Sequence, residues 1–328
     1  MNTKKFDSKA LLLKALPLII LVAVGAVLSQ KKFYALIMCL ICLYTIAVTG
    51  LDVLFGYSGQ ISFGQAGFFA IGSYTSAILT TRTAMPPFYA MLIGAVFSVI
   101  MAMILAIPAC RLRKHFLSML TIAFNQIIVT FANTSKLTGA ATGIGQIPDM
   151  RIFGIELDSR VKNLVFMAIL MAVLMFVKNR IIESRTGRAF IAIRENPVAA
   201  QGMGINVRFY KTMAFCIGAF YASIAGSLFA HLMGYISPET YANIQSTLFV
   251  TVLLFGGIGS LYGPLIGSAV ILPIRELFQS FVQYQGLIYA LFIVVVLFFF
   301  PTGVVGVFGK LRSRMKKGGK EEEPDAED

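Results

Sequence analysis

The sequence predicts an all-α polytopic membrane protein of about ten spans, some of them short or broken. Three observations lead there. Hydrophobic residues make up 57% of the 328 positions, charged residues only 13%, and mean hydropathy is +0.80; soluble domains carry roughly 25% charged residues. Apolar stretches of about 20 residues, enough to cross a hydrocarbon core of about 30 Å, recur along the whole chain. The 28 lysines and arginines outnumber 15 acids, for a net charge of +13. They gather in short loops and at the two ends, which is the positive-inside pattern and not a face for nucleic acid.

The apolar runs place spans near 13–29, 33–54, 61–80, 88–109, 116–134, 161–178 and 211–232. Lys4, Lys5, Lys9 and Lys14 precede the first run, which is long and lacks a clear small-residue cleavage site. It therefore reads as a span, not as a signal peptide. Beyond Leu248 the apolar stretch is interrupted by Gly256-Gly257-Ile258-Gly259-Ser260-Leu261-Tyr262-Gly263-Pro264. The basic loop from Lys178 to Lys211 and the basic tail from Lys310 to Lys320 should both be cytoplasmic, so an even number of crossings separates them. With the span at 211–232, segments at 244–256 and 264–281, joined by this helix break, and a last span at 286–300 make four crossings and satisfy that count. The 244–256 segment is short for a full crossing, so it is tilted or re-entrant.

In the same scheme Arg111, Arg113 and Lys114 are cytoplasmic, as are both termini, while Lys31 and Lys32 fall outside. The organisation is then a cytoplasmic N-terminus over 1–12, a membrane domain over 13–308 with a cytoplasmic loop near 179–210, and a tail over 309–328. That tail, basic and then acidic, has nothing apolar to bury and is expected to be disordered.

Two polar segments stand out. The first, Gly56-Tyr57-Ser58-Gly59-Gln60-Ile61-Ser62-Phe63-Gly64-Gln65-Ala66-Gly67, sets glycines, hydroxyls and amides at the entrance to an apolar run. Small residues there allow close helix packing. The sharper reading is a broken helix or substrate path involving Gly59, Gln60, Ser62, Gly64, Gln65 and Gly67, because polar backbone at membrane depth needs a lined cavity. The second runs from Glu183 to Arg208. Thr186 to Glu195 can form an amphipathic helix, and Asn196 can cap a second short helix that opens with Pro197. A basic loop held against anionic lipid is the plain reading; a rigid docking element for a cytoplasmic partner fits the helix-cap-helix pattern better.

Asp52 is the one acid well inside a predicted span, which makes it a functional candidate, although it lies near a helix end. Arg275 and Glu276, near an outer edge, read as a mutual pair. His115 sits in a basic turn and His231 at a span end. Cys39, Cys42, Cys110 and Cys216 lie in or beside apolar runs with no second ligand pair, so they read as small buried residues and no metal is expected. No phosphate loop, metalloprotease motif or nucleophile elbow occurs, and no stretch outside the spans could fold as a nucleotide-binding domain. The chain is not expected to be an enzyme, and any ATP is hydrolysed elsewhere.

Four blocks in order carry a resemblance. They are Gly56-Tyr57-Ser58-Gly59-Gln60-Ile61-Ser62-Phe63-Gly64; Gly187-Arg188-Ala189-Phe190-Ile191-Ala192-Ile193-Arg194-Glu195-Asn196-Pro197-Val198-Ala199-Ala200, with Met203-Gly204-Ile205-Asn206; Gly256 to Pro264; and Phe300-Pro301-Thr302-Gly303. Together they resemble the permease subunits of bacterial branched-chain amino-acid ABC importers, over about 33–308. Arg111-Leu112-Arg113, Thr121-Ile122-Ala123-Phe124 and Leu137-Thr138-Gly139 look like the longer, M-type permease, although Ala140 stands where that type usually has a second glycine.

The resemblance implies a plasma (inner) membrane importer with a second permease of the same fold, two cytoplasmic ATPase subunits that hold ATP and Mg, and an extracytoplasmic solute-binding protein. The loop from Thr186 to Asn206, with Gly187, Arg188, Arg194, Glu195, Asn196, Pro197, Ala199, Ala200 and Gly204, would then couple to an ATPase. Related permeases move urea, short amides and other amino acids, and an autonomous channel or secondary transporter for a small neutral solute is the rival from another class.

Overall fold

The computed structural model describes residues 32–109, 114–152, 155–156 and 160–277. The expected spans at 13–29 and 286–300, the basic residues Arg111 and Arg113, the block Phe300 to Gly303 and the tail lie outside the described residues.

The chain opens with α1 (Lys32–Asp52), which continues through a π-helical turn (Val53–Tyr57), and then α2 (Gln65–Thr83), α3 (Pro87–Ala109) and α4 (Lys114–Thr134). Two short 3-10 turns and a two-residue antiparallel hairpin, β1 (Arg151–Ile152) with β2 (Ile155–Glu156), lead to α5 (Arg160–Glu183). Next come α6 (Arg185–Glu195), α7 (Pro197–Gly202), α8 (Val207–Met233), a 3-10 turn (Pro238–Tyr241), α9 (Asn243–Gly256) and α10 (Gly263–Leu277). Each of the eight spans expected between 33 and 281 contains a helix among the described residues. Among the described residues, five segments, one of them α1 with its π turn, are long and apolar enough to cross a membrane. The 19-residue α2 is diluted by glycines and hydroxyls.

α8 is the hub, packed against α1, α2 and α3. Small residues permit it. A Cβ on Gly72 would lie 2.1 Å from the Ser223 carbonyl oxygen, and one on Gly226 2.0 Å from that of Phe69. At this spacing the Ser73 hydroxyl donates to the Gly226 carbonyl at 2.7 Å and Ser227 to that of Gly72 at 3.0 Å. Contacts of this kind replace the missing hydrophobic drive between helices in lipid. α3, α4 and α5 lie outermost and turn Val96, Ile107, Ile127, Phe131 and Ile169 outward, as lipid- or partner-facing helices do.

Two interruptions lie within the helical bundle. From Gly59 to Gly64 the chain is non-helical, so the span expected from 61 begins as a helix only at Gln65. Its backbone groups are met from α4: Thr121 accepts from the Phe63 amide at 3.0 Å, and Ser118 donates to the Ile61 carbonyl at 3.1 Å. Such pairing is what makes irregular backbone tolerable there. The Gln65 side chain donates to the Ala47 and Gly218 carbonyls, both at 3.1 Å, which sets it about 16 Å along α8 from Val207.

The second interruption, 234–242, joins α8 to α9. Its Ile236 bridges Ile144, and Ser246 near the start of α9 accepts from the Ala66 amide at 3.0 Å. The 14-residue α9 spans only about 21 Å. It therefore begins level with the start of α2 and runs the opposite way, toward the end of the bundle that carries α6 and α7.

Candidate functional site

The segment from Ser184 to Asn206 is a folded element and not a loose loop. The Ser184 hydroxyl accepts from the Thr186 amide at 3.1 Å and opens α6. Asn196 Oδ1 accepts from the Val198 and Ala199 amides at 3.0 and 3.1 Å, with Pro197 first in α7. Asn206 Oδ1 accepts from the Phe209 amide at 3.1 Å and opens α8. Three side-chain caps thus fix three helix starts within one short stretch.

The apolar face of α6 holds this element to the bundle, with Phe190 and Ile193 buried. Gly187 sits so close to the end of α5 that a Cβ would be 2.0 Å from the Ile182 carbonyl oxygen. Arg188 stays local, its side chain donating to the Glu183 carbonyl at 3.4 Å. Ala200 is buried, and Gly204 takes a positive φ of 83° in open space. Glu195 and Ala199 are exposed. So are two apolar side chains, Val198 at 79% and Met203 at 82%.

Arg194, although exposed, lays its side chain back against the end of the bundle. Its guanidinium donates to the Gly56 carbonyl, and its stem lies against Gly59, where a Cβ would come within 3.0 Å of Arg194 Cγ. Gly59 has a positive φ of 68°, a conformation that favours glycine. Asp52 lies one helical turn before Gly56 and is fully buried. Its Oδ2 accepts from Lys178 Nζ of α5 at 2.5 Å, and its Oδ1 from the Gly259 amide at 2.7 Å. Lys178, 1% exposed, also donates to the Ser260 carbonyl at 3.0 Å. The Tyr57 hydroxyl donates to the Gly259 carbonyl at 2.8 Å.

Three of the sequence blocks thus meet at one place. The glycines of the 256–264 break make the turn that reaches it: Gly257 and Gly259 have positive φ, and a Cβ on Gly256 would sit 1.9 Å from the Gly263 carbonyl oxygen. Gly263 opens α10, with Pro264 next. The break is therefore a tight antiparallel connection between two helices.

Residues read as a substrate path are enclosed by the chain's own helices. Gln60 donates to Ser58 Oγ at 2.9 Å and the Lys211 carbonyl at 3.1 Å; Ser62 Oγ accepts from the Gly64 amide at 3.2 Å. Gly64 and Gly67 seat α4, each close to Phe124. The other face of α4 carries a shallow groove lined by Ala123, Gln126, Ile127, Thr130, Phe131 and Thr134. Beside it Asn125 Nδ2 donates to Asn243 Oδ1 at 2.7 Å, at the start of α9.

One sequence reading needs correction. Lys178 is not the first residue of a solvated basic loop but a buried partner of Asp52, and α5 runs on to Glu183. The missed signal was Asp52 itself, since a buried carboxylate calls for a cation at its own depth. The Arg275 guanidinium donates to the Tyr44 hydroxyl at 2.7 Å, a contact the sequence did not announce. His231, at the far end, bonds Ser76 Oγ and the Pro148 carbonyl, both at 2.8 Å, and fastens the 135–152 segment to the bundle.

Interrupted helices inside a multi-pass bundle, with a rigid helical element locked to one end, define a membrane permease. The chain belongs to the family described as the permease component of branched-chain amino acid transport systems, whose model matches residues 33–301.

It is 31% identical to the high-affinity branched-chain amino acid transport system permease protein LivM of Escherichia coli K12, over 80% of this chain and 68% of that protein. It is 25% identical to LivH of the same organism, over 80% and 91%. The fructose import permease protein FrcC of Rhizobium meliloti is 27% identical, over 78% and 76%. No solved structure matches.

Proposed function

We propose that this chain is a transmembrane subunit of an ATP-driven importer of leucine, isoleucine and valine in the bacterial plasma membrane, with both termini cytoplasmic. It works with a second permease of the same fold, two cytoplasmic ATPase subunits and an extracytoplasmic binding protein. ATP and Mg are held by the ATPases; this chain supplies no catalytic site. The observation that carries this reading is the 184–206 element. It is capped three times and pinned to the bundle, yet it presents Val198 and Met203 to solvent. Exposed apolar side chains on a rigid scaffold mark a docking surface.

The path runs along the outer face of α4, where Gln126, Thr130 and Thr134 are exposed on a helix long enough to cross the membrane. Polar side chains facing lipid are disfavoured, so this face fits the second permease and a water-lined passage between the two. The glycine-rich segment from Gly59 to Gly67 supports that wall from behind. Few charges line it, as suits a zwitterion delivered by a binding protein.

The test is uptake of radiolabelled leucine by proteoliposomes that hold this chain, its partner permease and both ATPases, with binding protein outside and ATP inside. Uptake should require ATP and every subunit, and should be competed by isoleucine and valine. Uptake by this chain alone would establish a channel or secondary transporter instead. Active ATP hydrolysis with uptake of urea, an amide or fructose but not leucine would overturn the substrate assignment.

A further inference from the structure

We propose that the Asp52–Lys178 ion pair, together with Arg194, is the joint that carries movement of α6 to the 257–262 turn and so to α9. This rests on the reading that the 184–206 element docks an ATPase.

A buried ion pair is a weak way to stabilise a fold, since well-packed apolar residues of similar volume often do as well or better. This pair spends its remaining bonding capacity on one target. Asp52 Oδ1 accepts from the Gly259 amide at 2.7 Å, Lys178 donates to the Ser260 carbonyl at 3.0 Å, and the Tyr57 hydroxyl donates to the Gly259 carbonyl at 2.8 Å. Bonds from α1, its π turn and α5 thereby grip two successive residues of the turn, which the Ser260 hydroxyl also closes on the Gly257 carbonyl at 2.8 Å. Ile258 is 38% exposed, and Gly257 and Gly259 have positive φ.

Arg194 brings α6 into the same knot. It donates to the Gly56 carbonyl, packs on Gly59, and its Nη1 would lie 3.6 Å from a Cβ on Gly259. Gly56 has no room to yield: a Cβ there would stand 2.1 Å from Asp52 Oδ1 and 2.9 Å from the Gly259 nitrogen. A shift of the C-terminal end of α6 therefore either breaks the Arg194–Gly56 bond or pulls on Gly56, which is packed between Asp52 and the Gly259 nitrogen. From the turn, α9 is a rigid 14-residue rod whose other end meets Asn125 of α4, beside the face assigned to the path. Packed elements and hydrogen-bond networks with two discrete arrangements carry coupling in this way.

The test uses the full complex with the four native cysteines replaced by alanine and Ile258→Cys as a labelling site. Without the extra substitutions, labelling by a water-soluble maleimide should change when the ATPases are trapped with ATP and vanadate. In Asp52→Asn/Lys178→Met, a neutral pair of similar volume, labelling should no longer respond, and leucine transported per ATP hydrolysed should fall about tenfold, within the usual range of coupling energies. Arg194→Gln, which leaves the ion pair in place, should show the same uncoupling and serves if the double variant fails to assemble. A labelling response and transport ratio unchanged in the assembled variants would overturn the proposal. So would a turn whose labelling ignores ATP in the otherwise unaltered complex. Labelling needs no substrate, so a normal response without leucine uptake would reject the leucine assignment and leave the joint standing.

Discussion

Lys178→Met alone is expected to destabilise the chain severely, and more than the double variant Asp52→Asn/Lys178→Met. The single change leaves the Asp52 carboxylate buried with only the Gly259 amide as a close partner. Removing one member of a buried pair costs about 3–5 kcal/mol, whereas replacing both by apolar or neutral groups is often close to neutral. Asp52→Asn alone should act in the same direction, since it strands the Lys178 ammonium with the Ser260 carbonyl. Thermal unfolding in detergent, followed by loss of the monodisperse peak, reads this directly. Single variants as stable as the unaltered chain would mean that the pair does not form in the folded protein.

The second large effect concerns the exposed end of the same apparatus. Val198→Asp/Met203→Asp should leave the chain folded, because both side chains are already in solvent and surface substitutions of this kind usually change stability little. ATPase association should nevertheless weaken by about thirtyfold or more, as loss of an apolar anchor of about 2 kcal/mol does at an interface. Retention of ATPase subunits on affinity-tagged permease, measured against the complex without the double substitution, checks it. Unchanged retention would show that the ATPases contact some other surface.

The contrast between these two regions explains what the sequence could convey. Helix caps are local chemistry, so Asn196 and Pro197 announce α7, and the Gly256–Pro264 cluster announces a break. Eight spans were legible because hydropathy over some twenty residues is a local property too. The start of α2 was misplaced by a few residues for a physical reason. Ile61 and Phe63 look like the start of an apolar helix, but Ser118 and Thr121 hold their backbone in a non-helical stretch.

The joint was invisible for a different reason. Asp52, Gly56, Lys178, Arg194 and Gly259 come from four separate stretches, and only tertiary packing assembles them. Lys178, one residue from Asn179 at the end of an apolar run, has the sequence context of a residue that reaches for headgroups; its burial depends on Asp52 arriving at the same depth. Gln60 and Gln65 show the converse. Their amides suggest a path, and only packing reveals that Gln65 donates to the Ala47 and Gly218 carbonyls while the Oε1 atoms of both residues are buried without a hydrogen-bond partner among the described residues. The small hairpin at 151–156 left no periodic signal at all, being two residues on each side.

The central claim, that the 184–206 element is the seat of an ATPase, is tested most directly by a photocrosslinking amino acid at position 203 in the complete complex in native membranes. The expected result is a crosslinked product between this chain and an ATPase subunit, reduced by Val198→Asp. Crosslinks to lipid alone, with the ATPases present and active, would contradict it.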